Sequence, residues 1–360
     1  MKNSNKKLYE RTSLHPFKYI TPSVGNITLS ILCMLVLQVI MLFATKSFAS
    51  IFVLLASLIA SVAAEGFYTG FSKKTKFNAV VSIIQGLVIG LLLPSTYQLP
   101  AVFFIVFSST LILKIAFGSF SSSWVNICLV TVIAAYVINP QVFPLSSFSL
   151  IDLQSRNPAL NLVQTNAVPL VKFDTSITQF FNKFIFGLFG VSVPDGYVSL
   201  FWDCYCVIPA FRFNFITLIS GIILISFDFI DSVIPAVFLF VYCLLVRLVL
   251  PLFIQGIPLQ GDMLLALLTS GTLFACVFLM QWFGTTPITL WGKIVYGAFG
   301  GIMAFLIAGY GASSTGIIFS VLIMNIFSPV IQYFESKQVK GFLKKVLLPQ
   351  INELKETENV

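Results

Sequence analysis

The sequence is poor in charged residues, which make up 9% of its 360 residues, whereas hydrophobic residues make up 58%. A soluble domain uses about 25% charged residues to keep its surface hydrated. The polar side chains present are too few to cover a chain of this length in water. The composition therefore excludes a soluble globular protein.

Histidine is nearly absent, because His15 is the only one. The sequence also lacks a Walker loop, a Gly-x-Gly-x-x-Gly fingerprint and a His-Glu-x-x-His motif. Hydrolysis by a serine–histidine–acid triad therefore finds no support. Of the six cysteines, only Cys204 and Cys206 lie outside the apolar segments, and cysteines so close in sequence rarely form an unstrained disulfide. We expect the cysteines to be structural thiols.

What the sequence does contain is a series of apolar runs, each about 20 residues long, which is the length that crosses a hydrocarbon core as a helix. They predict an all-α integral membrane protein with about ten transmembrane helices. The predicted spans are 27–45, 49–69, 78–94, 99–117, 123–139, 213–229, 232–252, 262–282, 291–309 and 314–333.

The order of these spans predicts two inverted five-helix repeats. Residues 140–212 form the only long stretch without a predicted span, and they separate a first repeat, 27–139, from a second repeat, 213–333. Two halves with an odd number of helices must have opposite orientations, which is the inverted-repeat plan of many transporters. Residues 1–26 are then an N-terminal segment and residues 334–360 a C-terminal tail.

The positions of lysine and arginine predict the orientation, because basic loops resist translocation. If the N-terminus is cytoplasmic, most of the 21 basic residues fall on the cytoplasmic side. We therefore expect a bacterial cytoplasmic-membrane protein with both termini inside and the 140–212 loop outside. Basic loops beside anionic lipid explain the net charge of +8, so we expect the lipid bilayer as a partner and no nucleic acid.

Ionisable residues inside the spans are candidate functional residues, because burying them in lipid is costly. Glu65 lies near one end of the second span and Lys114 near one end of the fourth, so the two are candidates for an ion pair or an ion path. The alternative is that each side chain reaches the membrane interface separately. A second ion pair is expected between Arg247 and Asp262, whereas Asp231 is interpreted as a turn residue.

Three segments of the first half stand out in this order: Asn-Ala-Val-Val-Ser-Ile-Ile-Gln-Gly-Leu-Val-Ile-Gly-Leu-Leu-Leu-Pro, Lys-Ile-Ala-Phe-Gly and Trp-Val-Asn. Together they resemble the RnfD and NqrB family of membrane proteins. Members of that family carry, in this order, a Thr-Gly-Leu-Leu-Leu-Ala-Leu-x-Leu-Pro segment, a lysine before an aromatic-Gly-Gly, and an Asn-Pro-Phe-Asn-Pro-Ala motif. The corresponding segments here are 78–94, 114–118 and 124–126, the last ending at Asn126. Their spacing agrees without gaps.

The second half resembles the same family, so that the resemblance covers about residues 45–335 as a whole. Residues 231–235 stand where the family has Ser-Trp-Arg-Ile-Pro, and residues 285–289 where it has Thr-Asp-Pro-Val-Thr. Residues 322–331, which include Asn325, match Leu-Leu-Met-Asn-x-x-x-Pro-Leu-Ile. The family has the same plan of five plus five spans.

The resemblance implies a membrane subunit of a redox-driven pump, which couples electron flow between NADH and ferredoxin or quinone to the translocation of sodium or protons. Such a subunit is not catalytic alone, and its partners are the other membrane and peripheral subunits of the electron transport complex. Candidates for an ion path or a structural ion pair are Glu65, Lys114, Asn126 and Asn325. The alternative function is a stand-alone secondary transporter of a small solute or ion on the same inverted-repeat scaffold.

The resemblance also implies a flavin, either FMN or riboflavin. Family members attach FMN through a phosphoester to a threonine of the extracytoplasmic loop, in a Ser/Thr-Gly-Ala-Thr-Pro-Leu context. The corresponding positions here are Thr165, Asn166, Ala167 and Val168, with Val168 in place of the acceptor threonine. Valine has no hydroxyl to form the ester, so we expect no FMN at Val168.

Two readings of this departure remain open. Either the chain is a divergent member with altered cofactor loading, for which Thr165 is the alternative acceptor, or it keeps the scaffold without covalent flavin. Substitution of Val168 by threonine is expected to restore the hydroxyl.

Overall fold

The computed structural model describes residues 23–71, 77–118, 124–144, 164, 168–190, 192–253, 259, 261–311 and 313–358. These residues form helices and irregular connections, with no β-strand among them, which confirms the predicted all-α fold. The helices long and apolar enough to cross a membrane are Val24–Ala44, Phe48–Phe71, Leu99–Phe117, Val233–Phe253, Leu290–Tyr310 and Gly316–Gly341. The protein is a multi-pass membrane protein with further, shorter apolar helices.

Five α-helices occupy the described residues of the first part of the chain. They are α1 (Val24–Ala44), α2 (Phe48–Phe71), α3 (Ala79–Leu92), α4 (Leu99–Phe117) and α5 (Ile127–Ile138). Side-chain caps begin three of them, because Ser23 accepts a hydrogen bond from the amide of Asn26, Asn78 accepts one from the amide of Val81, and Asn126 accepts one from the amide of Cys128. Helix α3 has 14 residues, or about 21 Å, which is shorter than the ~30 Å hydrocarbon core.

Among the described residues, the second part contains two α-helices in the predicted loop and five further helical segments. They are α6 (Asp174–Phe184), α7 (Tyr197–Trp202), α8 (Asn214–Ser226), α9 (Val233–Leu248, continued by Leu250–Phe253), α10 (Met263–Thr269), α11 (Leu290–Ala304, continued by π-helical Phe305–Tyr310) and α12 (Gly316–Glu358). Between α10 and α11 lie a helical turn, Thr272–Phe274, and a π-helical segment, Ala275–Leu279. Helix α12 continues well beyond the predicted span 314–333.

Connections between helices gather at two ends of the molecule. At the first, here called the loop end, Arg212 before α8 donates to Ser47 before α2 at 2.6 Å. At the same end Thr96 before α4 donates to the carbonyl of Val142 after α5 at 3.2 Å. The irregular residues that precede and follow the helices are thereby tied together there.

The opposite end, here called the tail end, is held by two carboxylates. Asp231, between α8 and α9, pairs with Lys293 in the first turn of α11. Glu335 of α12 accepts hydrogen bonds from the amides of Thr289 and Ile288 at 2.9 and 3.2 Å, where α11 begins. A carboxylate at a helix N-terminus is favourable because the first amides have no partner within the helix.

Helices α2 and α3 approach closely because α3 presents two glycines one turn apart. A Cβ atom at Gly86 would lie 2.7 Å from the Cα of Leu58, and one at Gly90 would lie 2.8 Å from the Cα of Leu54. The hydroxyl of Ser57 donates to the carbonyl of Gly86 at 2.9 Å across the same contact. Small residues thus bring the two backbones together, as is common between membrane helices.

In the second half, helices α9 and α11 also approach closely because one of them presents glycines at the contact. A Cβ atom at Gly297 would lie 2.9 Å from the carbonyl oxygen of Ile234, and one at Gly301 would lie 2.9 Å from that of Phe238. Each half therefore contains a helix whose glycines permit close packing on one neighbour.

Candidate functional site in the helical core

Glu65 of α2 and Lys114 of α4 form an ion pair. The Nζ atom of Lys114 lies 2.5 Å from Oε2 of Glu65, and the side chains of Lys114 and Glu65 are 5% and 11% exposed, respectively. The other carboxylate oxygen of Glu65 accepts a hydrogen bond from the amide of Asn78 at 3.4 Å, at the start of α3. The pair therefore links three helices.

The contribution of this ion pair to stability depends on its burial. A buried pair gains little over an apolar replacement, but removing one partner leaves an uncompensated charge in a low dielectric and destabilises a protein by about 3–5 kcal/mol. Glu65 and Lys114 thus depend on each other, and neither side chain extends separately to the membrane interface as the alternative supposed.

The eighth predicted span, 262–282, is interrupted in the structure. Helix α10 ends at Thr269, and Gly271 follows with φ of +74°. The next turns form the π-helical segment Ala275–Leu279. Because the regular hydrogen-bond ladder is broken there, backbone carbonyls become available to side chains of other helices.

Asn126 and Asn325 meet at this interruption. Nδ2 of Asn126 donates to the carbonyl of Leu279 at 3.5 Å. The hydroxyl of Tyr296 lies 3.2 Å from the carbonyl of Met280 and 3.0 Å from Oδ1 of Asn325. The two asparagines, which come from α5 and α12, are therefore connected to consecutive peptide groups of the eighth span.

Asn325 has one unpaired polar atom at this contact. One hydroxyl proton on Tyr296 cannot serve both the Met280 carbonyl and Oδ1 of Asn325. In the orientation observed, Nδ2 is the atom without a partner among the described residues.

Two further amides are buried in the membrane helices without full hydrogen bonding. Neither end of the Gln85 side chain in α3 has a partner among the described residues, and Oε1 of Gln38 in α1 has none either, although its Nε2 donates to Thr217 at 2.8 Å. Buried amides without partners are unfavourable by about 1–3 kcal/mol each. Such groups are retained where a polar species uses them.

A cavity of about 240 Å³ lies between α3 and the interrupted span. Ile84 of α3 faces Val277 of the π-helical segment across it, and Ile31 of α1, Ile230 and Gln281 complete much of its wall. We call four buried polar residues the core polar site. Asn126, Tyr296 and Asn325 bond at the interruption, and the backbone carbonyl of Gln85 lies 3.8 Å from Sγ of Cys128 in the first turn of α5. The site involves the third span of each half. In the first half that span is the short helix α3, and in the second half it is the interrupted span 262–282.

The flavin positions fall partly outside the described residues, since Thr165, Asn166 and Ala167 are not among them. Val168 is described, and its side chain is 4% exposed and packs in the hydrophobic core. An acceptor for FMN needs a nucleophilic oxygen that the flavin-transferring enzyme can reach. Position 168 provides neither the oxygen nor the access, so it does not fit covalent FMN.

The predicted ion pair between Arg247 and Asp262 does not form. Nη1 of Arg247 donates to the carbonyl of Gly261 at 3.1 Å. The carboxylate of Asp262 instead accepts from the amide of Leu265 at 2.9 Å and from the hydroxyl of Tyr197. Asp262 therefore caps α10 and fixes it to α7.

Asp231 was interpreted as a turn residue, and the structure gives it two contacts. Its Oδ1 accepts from the amide of Val233 at 2.8 Å, which is the turn role. Its Oδ2 is paired with Lys293. Burial alone would raise the pKa of this carboxyl, but the hydrogen bonds from Lys293 and Val233 outweigh burial and lower the pKa below its usual value.

A third ion pair, which sequence reasoning missed, lies at the loop end. Arg212 donates from Nε to Oδ1 of Asp203 at 3.0 Å and from Nη2 to Oδ2 at 2.5 Å, and its guanidinium lies 5.0 Å from the centre of the Phe213 ring. Such two-pronged geometry is the strongest form of an arginine–carboxylate contact. Both residues lie in an irregular segment, where hydrophobic periodicity carries no signal.

Cys204 and Cys206 are free thiols beside this pair. Sγ of Cys204 donates to the carbonyl of Phe211 at 3.0 Å. Burial raises the pKa of the Cys204 thiol, so it stays protonated and unreactive at neutral pH.

Comparison with known proteins identifies the family to which the chain belongs. A model of the NQR2, RnfD, RnfE family matches residues 11–341. The chain is 27% identical over 329 residues to the D subunit of the ion-translocating oxidoreductase complex of Buchnera aphidicola, covering 83% of this chain and 89% of that protein.

Shorter matches agree with this one. The D subunit of the Na(+)-translocating ferredoxin:NAD(+) oxidoreductase complex of Acetobacterium woodii is 26% identical over 127 residues, which are 35% of this chain and 37% of that protein. The D subunit of the ion-translocating oxidoreductase complex of Salmonella enteritidis is 32% identical over 80 residues, or 22% of this chain and 23% of that protein. Because the family match extends over most of its length, the chain belongs to the NQR2, RnfD, RnfE family.

Proposed function

We propose that this chain is a membrane subunit of an ion-translocating oxidoreductase complex of the Rnf or Nqr type. The observation that carries the proposal is the family match over residues 11–341, together with a relative of that description aligned over 83% of the chain. The chain acts with other membrane and peripheral subunits and is not catalytic alone. It lies in the bacterial cytoplasmic membrane with both termini inside.

About ten spans in two inverted repeats form the scaffold. In support, the second and fourth helices of the first half pack extensively, as do α9 and α11, which are the second and fourth spans of the other half. The third span of each half is irregular, since α3 is short and the 262–282 span is interrupted. In inverted-repeat transporters, interrupted segments at corresponding positions mark the place where the substrate or ion passes.

The polar residues of the core divide between two roles. Glu65 and Lys114 are a structural pair that fixes α2 to α4, because each neutralises the other. The core polar site contributes to the ion path, because it holds buried amides with unpaired atoms beside broken backbone. Asn126 and Asn325 position the carbonyls of that segment.

The subunit carries no FMN at position 168. Val168 has no hydroxyl and its side chain is buried, so electron transfer through the complex does not depend on a flavin esterified there. The chain is in this respect a divergent member of its family.

Purification of the tagged chain from native membranes in mild detergent tests the proposal. The account expects the other subunits of the complex to co-purify in constant ratio and to be absent from a parallel preparation of an unrelated tagged multi-pass protein. A chain that purifies alone, and that transports a small solute after reconstitution, would overturn the proposal in favour of a stand-alone transporter.

A further inference from the structure

Helix α6 buries two polar residues and exposes three phenylalanines. Asp174 and Thr178 are 0% and 4% exposed, whereas Phe180, Phe181 and Phe184 are 55%, 40% and 56% exposed. A helix that covers a water-soluble core buries its large apolar residues instead. The exposed phenylalanines lie among exposed polar side chains, which include Lys183, and such a mixed surface is typical of a helix in the membrane interface.

Hydrogen bonds hold α6 in this orientation. Asp174 accepts from the amide and hydroxyl of Ser199 at 2.7 and 2.5 Å and from the amide of Gly196 at 3.0 Å. Near the end of α6, the side chain of Asn182 bonds to both the amide and the carbonyl of Val193, at 2.9 and 2.8 Å. Rotating the helix to hide its phenylalanines would break all five bonds.

An apolar pocket of about 310 Å³ opens beneath α6. Its walls come from Phe181 of α6, Val198 of α7, Leu218 of α8 and Leu267 of α10. The pocket thus joins the loop-end helices to two membrane helices.

The side chains that line the pocket indicate which kind of ligand fits it. The pocket has two hydroxyl side chains, and both are already committed, since Thr178 donates to Asp174 and Tyr197 donates to Asp262. The other side chains that line it are aliphatic or aromatic. A sugar, nucleotide or ion would lose its hydration there without gaining a partner. A hydrocarbon chain would lose nothing.

The position of the pocket points to the lipid phase as the source of that chain. Two leucines of its lining are partly exposed: Leu218 on the apolar helix α8 and Leu264 on α10, within the eighth predicted span, are 40% and 42% exposed. The apolar lining of the pocket therefore continues onto the exposed surface of these two helices. Lys172 and Lys183 are exposed on the same segment, and Nζ of Lys183 lies 5.6 Å from the centre of the Phe184 ring. Aromatic side chains with flanking lysines are typical of helices lying in the headgroup region.

We propose that this pocket binds one acyl chain of a membrane phospholipid, with α6 lying in the interface and Lys172 and Lys183 attracting an anionic headgroup. A protein partner fits the site less well, because it would first have to displace lipid from two membrane helices. The inference rests on the membrane location of the chain and not on its proposed redox role.

Photolabelling tests the proposal. The full chain is reconstituted into phosphatidylcholine vesicles that contain a small fraction of phosphatidylglycerol with a diazirine in one acyl chain, and labelled peptides are identified by mass spectrometry. Enriched labelling is expected in peptides from α6, α7 and the start of α10. Labelling spread evenly over all lipid-facing helices would overturn the proposal.

Two matched substitutions test whether the labelling depends on the pocket. Leu264→Trp fills the pocket mouth, whereas Leu244→Trp enlarges a leucine of similar exposure, 39%, on α9 away from the pocket. A tryptophan that keeps two methylenes of the acyl chain out of the pocket weakens binding, so labelling should fall about tenfold. This loss is expected only for Leu264→Trp. Equal labelling of both variants would contradict the proposal.

A second comparison addresses the headgroup and the partner. Replacing Lys172 and Lys183 by glutamine should remove the preference for phosphatidylglycerol over a diazirine phosphatidylcholine, whereas Lys46→Gln, also at the loop end, should keep it. Labelling of the pocket that is strong in the isolated chain but lost in the chain purified with its native partners would assign the site to a protein partner and overturn the lipid assignment.

Discussion

Lys114 and Glu65 lie 49 positions apart in the chain, and their charged atoms are 2.5 Å apart between two buried side chains. Charges isolated in apolar sequence have few possible partners. Their pairing decides how α2, α3 and α4 are fixed to one another.

The first prediction concerns this pair. Glu65→Gln or Lys114→Met should each leave the protein inserted but lower the free energy of unfolding by about 3–5 kcal/mol, because one buried charge remains without its counter-ion. The double variant should lose less than the sum of the two. Denaturant unfolding in detergent, with the yield of assembled complex, measures both effects.

The pair of Lys293 with Asp231 supplies the control, since these side chains are 24% and 30% exposed, respectively, at the tail end. Asp231→Asn should change the free energy of unfolding by only about 0–1 kcal/mol. If Glu65→Gln behaves like Asp231→Asn and leaves complex yield unchanged, the structural role of the Glu65 pair is wrong.

The second prediction separates structure from function in the core polar site. Gln85→Met should raise the free energy of unfolding by about 1 kcal/mol, because it removes a buried amide neither end of which has a partner among the described residues. The same variant should reduce redox-driven ion transport, since the ion path loses that amide.

Gln281→Met is the matched control, because both ends of the Gln281 amide are bonded to the backbone of Asp231 at 2.8 and 2.6 Å. That variant should lower stability. Unchanged transport in a stabilised Gln85→Met protein would remove Gln85 from the ion path.

The third prediction is that the native chain carries no covalent FMN. After co-expression with a flavin-transferring enzyme and denaturing electrophoresis, the band should be dark under ultraviolet light. Val168→Thr should also stay dark, because the new hydroxyl would be buried with its side chain at 4% exposure; here burial modifies the expectation from sequence. A fluorescent native band that disappears in Thr165→Val would identify Thr165 as the acceptor.

The fourth prediction concerns topology. A reporter fused after Val360 should be cytoplasmic, and one inserted near Gln154 should be external, because basic residues gather on one side of the predicted spans. Accessibility of both sites from the same side of the membrane would contradict the plan of about ten spans.

Apolar length allowed most helices to be predicted from sequence, since α4 runs over the same residues, 99–117, as its predicted span. The interruption of the eighth span was not predicted. Ser270 and Gly271 stand in a short Thr-Ser-Gly-Thr stretch between apolar residues, and the average hydrophobicity of the whole span does not distinguish a regular helix from a π turn or a break. Backbone detail of that kind depends on tertiary contacts.

Side-chain pairing was predictable only where few alternatives existed. Glu65 and Lys114 were correctly considered together, because both lie near the same end of their spans. Arg247 and Asp262 were not a pair, because the Gly261 carbonyl, one residue away, satisfies the arginine while Tyr197 satisfies the aspartate. The sequence alone does not show whether Arg247 bonds to the carboxylate of Asp262 or to the peptide carbonyl of Gly261 beside it.

Ion uptake into inverted membrane vesicles measures whether the chain is required for redox-driven ion translocation. Vesicles from a strain lacking the chain are compared with vesicles from the same strain complemented with the native chain, with NADH or reduced ferredoxin as the electron donor. The account predicts that uptake is lost without the chain and restored by complementation. Uptake that is unchanged when the chain is absent would contradict it.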